Sequence, residues 1–536
     1  MEEIAQTERP ELIFALVGAA GVRLDDLTTA LKAQLATFGY SAVDIRLSDL
    51  LGDFDGWTDQ TGASEFDRIT HLQKMGNALR KRLNDGAGLA RAGIAEIRKR
   101  RAEVSGSPDI PVPARAYILR QLKHPAEVDL LRQVYGASFF LIAGHAPRRR
   151  RVEDLAELMA RKASQPGQGW NFQANAVEVI KIDEKQDDEF GQDTRDTYPR
   201  ADFFANLALT SGENAVGRFV ELLFGHPFRT PSPEEYAMYQ ASAVSLRSSD
   251  NNRQVGAAII DVSRDLSGTI KNADVVAFGM NEVPRGGGGF YWDQDSPDCR
   301  DQALLQRGED RATEIKISAL AELIEKIKGS GWLKADVEGD SPTLAQLLLP
   351  NLKRTQFMNL GEFGRTVHAE MAALIDAARR GVPVNGLTMY VTTFPCHNCA
   401  KHIVAAGIKR VVYLEPYPKS RANLLHGEEI ELESIDGREQ DGKVVFCAFS
   451  GIAPRQYRQL FSMSERGLIS LAEWYDHRSS LSPLHIPQSA SLTYLSAERR
   501  ELDELSPDIY HWNKQDICPD MSEHQTGTGE PQGHKY

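Results

Sequence analysis

The chain has 536 residues, 41% hydrophobic and 26% charged, which are the proportions of an ordinary globular protein rather than a fibrous or membrane-embedded one. Its net charge of −13 opposes broad electrostatic attraction to a polynucleotide, although a local basic pocket for a small nucleotide survives such a total. No apolar run approaches a membrane span, and the acidic start Met1-Glu2-Glu3 lacks the basic and apolar regions of a signal peptide.

The length calls for more than one domain, and two main ones are expected, at 1–228 and 229–518, with a disordered tail at 519–536. Residues 11–17 read as a buried strand, 18–21 as a glycine turn and 24–38 as a helix. That order opens a P-loop-like domain, in which backbone amides at a helix N-terminus cradle phosphate. Gly18, Ala19, Ala20, Gly21, Val22 and Arg23 form the candidate nucleotide-binding loop. The match is partial: with Gly18 opening G-x-x-x-x-G-K-[ST], Arg23, Leu24 and Asp25 stand where Gly, Lys and Ser/Thr belong. Without that lysine and hydroxyl, a regulatory nucleotide or an inert scaffold fits better than phosphoryl transfer.

Residues 40–47 read as a second strand, 64–103 as helices rich in Arg and Ala, and 115–120 and 138–143 as further strands. Strands alternating with helices imply a mostly parallel sheet. The run Arg148-Arg149-Arg150-Arg151, just before a helix, reads as a solvated face, with a phosphate or RNA role as the alternative. Residues 183–196 are acidic and poor in apolar side chains, and read as a loop or mobile connector. Pro227, Pro231 and Pro233 mark the domain boundary.

In the second half, 234–243 reads as a helix, 245–260 as a loop entering a strand, and 275–284 as a strand with its outgoing loop. From Arg285 to Trp292, glycines lead to an aromatic tip, which suits a lid over a base or a plain surface loop. Residues 298–363 read as an insertion with helical patterns at 311–328 and 342–349. Strands are expected at 411–414 and 444–449, and Lys419 is placed to meet a substrate phosphate or to stay solvated.

The sharpest chemistry lies between these elements. Val367-His368-Ala369-Glu370 and Pro395-Cys396-His397-Asn398-Cys399 spell H-x-E…P-C-x-x-C, the signature of zinc deaminases. A catalytic zinc takes three protein ligands and keeps a fourth position for water, so His368, Cys396 and Cys399 are the expected ligands and Zn2+ the expected cofactor. Glu370, two residues beyond His368, is the expected proton shuttle of a hydrolytic deamination. Alone, C-x-x-C also fits a redox pair or half of a structural zinc knuckle, but no second C-x-x-C completes a knuckle. Of five cysteines, Cys299, Cys447 and Cys518 have no evident pairing, which fits a reducing, cytoplasmic setting.

Three flanking segments carry a resemblance. Ser245-Leu246-Arg247-Ser248-Ser249-Asp250 with Gln254-Val255-Gly256, and Gly279-Met280-Asn281-Glu282-Val283-Pro284, resemble the segments that precede the zinc helix of deoxycytidylate deaminases. With Leu122-Lys123-His124-Pro125-Ala126-Glu127-Val128, Asp196-Thr197-Tyr198-Pro199-Arg200-Ala201-Asp202 and Glu415-Pro416-Tyr417-Pro418-Lys419-Ser420, the chain is similar over most of its length to bacterial anti-phage dCTP deaminases. The resemblance implies an α/β fold class: a P-loop-like parallel α/β domain followed by a cytidine-deaminase-like α/β/α domain. It also implies deamination of dCTP or dCMP, contact of Asn281 and Ser248 with the nucleotide, and a homo-oligomer. Activity is held off until infection in that family, which points to a regulatory nucleotide or an inhibitory RNA at the first domain. A deaminase of bases in tRNA or single-stranded DNA, and a sensor with a merely structural zinc, are the competing readings.

Overall fold

The computed structural model describes residues 9–54, 57–58, 62–184, 191–208, 212–250, 253–264, 270–308, 310–332, 339–352, 355, 363–415, 420–432, 442–463, 466, 470–486 and 490–503. The elements run β1 Leu12–Gly18, α1 Leu24–Thr37, β2 Ser41–Arg46, α2 Glu65–Leu83, α3 Gly88–Ser105, β3 Arg115–Arg120, α4 Pro125–Tyr135, β4 Phe139–His145 and α5 Arg148–Lys162. Next come α6 Gln173–Glu184, α7 Thr194–Thr197, β5 Phe203–Asn206, α8 Gly212–Leu223, α9 Pro233–Ser245, β6 Gly256–Arg264 and β7 Ile270–Met280. α10 Asp301–Gln306, α11 Arg311–Gly329, α12 Ser341–Leu352, α13 Ala369–Arg380, β8 Thr388–Val391, α14 His397–Ala405 and β9 Arg410–Tyr413 follow. The chain closes with α15 Ala422–His426, β10 Ile430–Leu432, β11 Val444–Ala448, β12 Gly451–Ile452, α16 Pro454–Phe461, α17 Leu471–His477 and α18 Ala490–Asp503. The fold class is α/β.

Two compact units emerge, one of residues 1–239, 413–419 and 431–536, the other of 240–412 and 420–430. The units thus depart from the linear boundary at 228, because the segment from 431 onward packs with the first unit.

In the first unit the sheet order is β12-β5-β4-β1-β3-β2. β2, β3, β1, β4 and β5 pair in parallel, and only the short edge strand β12 is antiparallel. Every residue of β1 and of β4 is buried, which requires both faces of the sheet to be covered. From β1 the chain builds β2 and β3 on one side, then crosses to β4 and β5 on the other. The C-terminal edge of β1 is therefore a topological switch point, where open α/β sheets bind ligands.

Long-range polar contacts tie the C-terminal helices to this core. Trp474 of α17 is fully buried and donates its indole N–H to the Phe224 carbonyl at 3.1 Å. Glu498 of α18 accepts from Arg101 at 2.7 and 2.8 Å, from Arg98 at 3.2 Å and from the Tyr135 hydroxyl at 2.9 Å, all in the interior.

In the second unit β9, β8, β6 and β7 are neighbours in that order, with β6 antiparallel to both β7 and β8. Two glycines admit helices against this sheet. A Cβ on Gly256 would lie 1.8 Å from the Ala241 carbonyl of α9, and one on Gly279 would lie 2.1 Å from the Ala369 carbonyl of α13. Ala257 pairs with Gly279, so Gly256 and Gly279 face opposite sides, and α9 and α13 cover the two faces as an α/β/α stack. The inserted helices α11 and α12 pack on each other through Leu320, Ile324 and Ala345. Among the described residues, no helix is long and apolar enough to cross a membrane.

Candidate active site

The sheet delivers the H-x-E and P-C-x-x-C segments to one place. His368 is the N-cap of α13, and Cys396 is the N-cap of α14, its sulfur accepting the Cys399 amide. Two helix N-termini thus meet the same group of side chains, and their partial positive charge favours thiolate at Cys396. Thr392, leading from β8 into the turn, is pinned to β6: its amide donates to the Gly256 carbonyl at 3.0 Å and its Oγ1 accepts the Gly256 amide at 3.1 Å.

His368 Nδ1 lies 3.3 Å from Cys396 Sγ and 3.4 Å from Cys399 Sγ, and all three donor atoms fall within 4.8 Å of one another. Tetrahedral bonds of zinc length to nitrogen and sulfur would separate those atoms by about 3.5 Å. One neutral imidazole and two thiolates are also the donor chemistry that zinc takes. The residues fit the ion.

Glu370 occupies the first turn of α13 and is 3% exposed. Burial pushes its carboxyl up to about 6, assisted by the negative charge of Cys396. The hydrogen bond from the Cys399 thiol holds Cys396 down at about 4, while that same bond and burial push Cys399 well above the usual thiol range. The bond to Cys396 raises His368. A carboxyl with a pKa near the operating pH, beside a metal-ligand cluster, is what general acid–base chemistry requires.

The flanking segments join the chain just before His368 through a backbone bridge between Glu282 and Val367. Asn281 is 7% exposed, and its amide makes three bonds: Oδ1 accepts the Val255 amide at 2.7 Å, while Nδ2 donates to the Arg253 carbonyl at 2.8 Å and to Asp250 at 3.1 Å. Ser248 is buried, with Oγ accepting the Asp250 amide at 3.2 Å and its carbonyl accepting from Gln254 at 2.7 Å. The structure therefore brings both residues together in one loop fold.

Sequence reasoning missed Glu282, which is 2% exposed and accepts the Ser249 amide at 2.8 Å through its carboxylate. Its backbone bridges Val367, the residue before His368. Glu282 thus links the Ser248 loop to the start of α13, and its place next to Asn281 was the available signal. Arg247 stacks on Trp292, 3.4 Å from the ring centroid, and this pairs the Ser248 segment with the aromatic tip of the glycine loop. That loop is a closed turn in which Gly287, Gly288 and Gly289 all have positive φ. Lys419 and Cys518 lie outside the described residues, as does the tail at 519–536.

Comparison with known proteins locates the resemblance. Residues 231–415 match the cytidine and deoxycytidylate deaminase zinc-binding region. The deoxycytidylate deaminase of Enterobacteria phage T2 is 39% identical over 84 residues, covering 15% of this chain and 45% of that relative. The deoxycytidylate deaminase of Enterobacteria phage T4 is 51% identical over 72 residues, covering 13% of this chain and 37% of that relative. The chain thus spans less than half the length of these curated relatives. Among solved structures, the dCMP deaminase of cyanophage S-TIM5 in apo form aligns with 41% of this chain and 100% of its own, at 17% identity and a TM-score of 0.21. The matched span contains His368, Glu370, Cys396, Cys399, Asn281 and Ser248.

The loop after β1 belongs to the first unit. Gly18 ends β1, Gly21 has φ +85°, and Arg23 precedes α1 and pairs with Asp26 at 2.5 Å. A Cβ on Gly21 would lie 2.5 Å from the Arg151 carbonyl, so glycine is required there by both conformation and space. The arginine run divides accordingly. Arg149 and Arg150 make pairs one turn along α5 with Glu153 and Asp154, whereas Arg151 is buried and donates to the carbonyls of Ala146 and Ala20.

Proposed function

We propose that the second unit is a zinc-dependent hydrolytic deaminase of free deoxycytidine nucleotides, dCMP or dCTP, releasing ammonia and the uracil nucleotide. The observation that carries the reading is the equidistance of His368 Nδ1 from the two cysteine sulfurs, with the buried Glu370 carboxyl against Cys399. His368, Cys396 and Cys399 would hold the ion. A bound zinc lowers the pKa of its water and so supplies the nucleophile near neutral pH.

Glu370 then handles the protons. Buried in the first turn of α13 and raised by that burial, the Glu370 carboxyl is the group that would accept a proton from the attacking water. That proton goes to the ring nitrogen beside the amidine carbon, and Glu370 next passes a proton to the departing amine, so the C–N bond is exchanged for C=O with one water consumed. Asn281 and Ser248 shape the nucleotide side of the pocket, and Lys419 is proposed to meet its phosphate. Support for the substrate class comes from the deoxycytidylate deaminase likeness and from the chain's acidic total, which disfavours a polynucleotide.

The whole-chain likeness to anti-phage dCTP deaminases extends the proposal. Turnover of dCTP in the cytoplasm starves phage replication, and the first unit, 1–228 in the sequence reading, regulates rather than phosphorylates. The test incubates zinc-loaded protein with dCMP, dCTP, CTP, tRNA and single-stranded DNA and resolves the products by chromatography. Conversion of the free deoxynucleotides alone supports the reading, and efficient editing of tRNA or DNA overturns it.

A further inference from the structure

The loop after β1 looks vacant in sequence, since no lysine stands at the start of α1, where Leu24 and Asp25 are found. In the fold its anion position is filled by the chain itself. The Ala20 amide donates to Asp183 Oδ2 at 2.6 Å, and Lys123 Nζ lies 2.7 Å from Asp183 Oδ1 while also donating to the Gly18 carbonyl at 2.9 Å. A lysine therefore does sit on the glycine loop, but it comes from the turn after β3, and the carboxylate it faces comes from the last turn of α6. The Asp183 side chain is 2% exposed.

The surroundings hold this arrangement in place. Glu127, itself paired with buried Arg80 at 2.9 Å, accepts the Lys123 amide at 2.7 Å and so fixes the backbone that carries the lysine. Behind the loop Arg151 donates to the Ala20 carbonyl. In α6, Ala176, Val179 and Ile180 pack on Leu155, Ala156 and Met159 of α5, which sets the height at which Asp183 meets the loop.

In front of the pair opens a cavity of about 840 Å³, reached by the C-terminal ends of β1, β2 and β3. Its lining counts eight basic side chains against five acidic ones, in a chain whose total is −13. Gln73 lines it too, is 6% exposed, and its Oε1 has no hydrogen-bond partner among the described residues. A cavity of nucleotide size lined by more basic than acidic side chains suits an anionic guest, and the buried Gln73 acceptor calls for a hydrogen-bond donor elsewhere on that guest.

We propose that this cavity binds a polyphosphate-bearing small molecule, and that its phosphate takes the place of the Asp183 carboxylate on the Ala20 amide and Lys123. The proposal rests on the reading of the first unit as regulatory. Asp183 is an internal stand-in for phosphate: it satisfies the same amide and the same ammonium when no ligand is present. Phosphate and carboxylate cannot share that point, because like charges in contact repel. Entry of the ligand therefore frees the end of α6, and the two occupants define two states of the unit.

The experiment titrates full-length, zinc-loaded protein calorimetrically with inorganic triphosphate at fixed ionic strength. Asp183→Asn, which keeps the shape and removes the charge, is expected to bind at least about 10-fold more tightly than wild type, and Lys123→Gln to lose binding. In wild type, hydrogen exchange at residues 173–184 should accelerate on triphosphate addition while residues 18–24 stay protected. Equal affinity of wild type and Asp183→Asn overturns displacement and leaves the regulatory reading in place. Absence of binding in every form overturns both. Deamination of dCMP in the same samples reports separately on the second unit.

Discussion

Gly279→Ala tests whether the close approach of α13 to β7 positions the metal group. The glycine has ordinary strand dihedrals, so alanine brings no backbone strain, only a methyl group that would lie 2.1 Å from the Ala369 carbonyl and 2.3 Å from the Ala373 amide. Ordinary contact begins near 3.4 Å, so the first turn of α13 must retreat by about 1.3 Å. That turn carries His368 at its cap and Glu370 within it, whereas Cys396 and Cys399 ride on α14 and stay behind. Metal sites hold their distances to about 0.2 Å, and a misplacement of 1 Å near reacting groups costs on the order of 100-fold in rate. We therefore expect Gly279→Ala to lose most of its zinc and at least about 100-fold in dCMP turnover, with about 1–3 kcal/mol of stability. Metal analysis, chromatographic assay and urea unfolding read these quantities. Gly286→Ala is the control, since a methyl group there meets nothing within 4 Å. Full zinc content and wild-type turnover in Gly279→Ala would refute the reasoning.

Three further perturbations follow from the same structure. Glu370→Gln should keep its zinc while turnover falls by about 100- to 10,000-fold, because the residue moves protons and is no ligand; metal loss in that variant would contradict the assignment. Glu498→Ala removes a carboxylate shared by the buried guanidinium groups of Arg98 and Arg101 and should cost about 3–5 kcal/mol in urea unfolding, and a loss below about 1 kcal/mol would show the pairing to be dispensable. His145 is held neutral, its pKa pushed down to about 3 by burial and by the nearby charge of Arg151. Between pH 6.5 and 3 only the unfolded chain takes up that proton, so its contribution is present above pH 6.5 and is lost as pH falls, by about 1.4 kcal/mol per unit. Wild type should thus lose about 2 kcal/mol more than His145→Gln between pH 6.5 and 5, and parallel curves would refute the coupling.

The site was legible in the sequence to the extent that its geometry is local. Cys396 and Cys399 share one helix start, and His368 and Glu370 share another, so spacing along the chain already fixes most of the distances. The single long-range fact, that the two helix starts meet, is carried by the pairing of β6 with β7 and β8. Glu282 escaped notice because its role depends on reaching Ser249 and Val367 at once, and neither contact leaves a periodic trace. The strand, turn and helix at Leu12, Gly21 and Leu24 were equally readable, since each is decided within its own residues.

What the glycine loop holds was not readable, and the reason is physical. A local motif reports which groups point at a site, but not whether another segment of the chain satisfies them. Lys123 lies beyond β3, 105 residues past Gly18, and Asp183 at the end of α6, 163 residues past Ala20. In sequence Asp183 opens an acidic stretch and so resembles a solvated connector. In the fold it closes a helix whose apolar face, Ala176, Val179 and Ile180, drives it into the interior. A carboxylate so buried is stable only with a cation and a donor, and Lys123 and the Ala20 amide are those partners. The glycine loop, whose own sequence lacks a lysine at the helix start, is thus met by a lysine and a carboxylate from two distant segments of the chain.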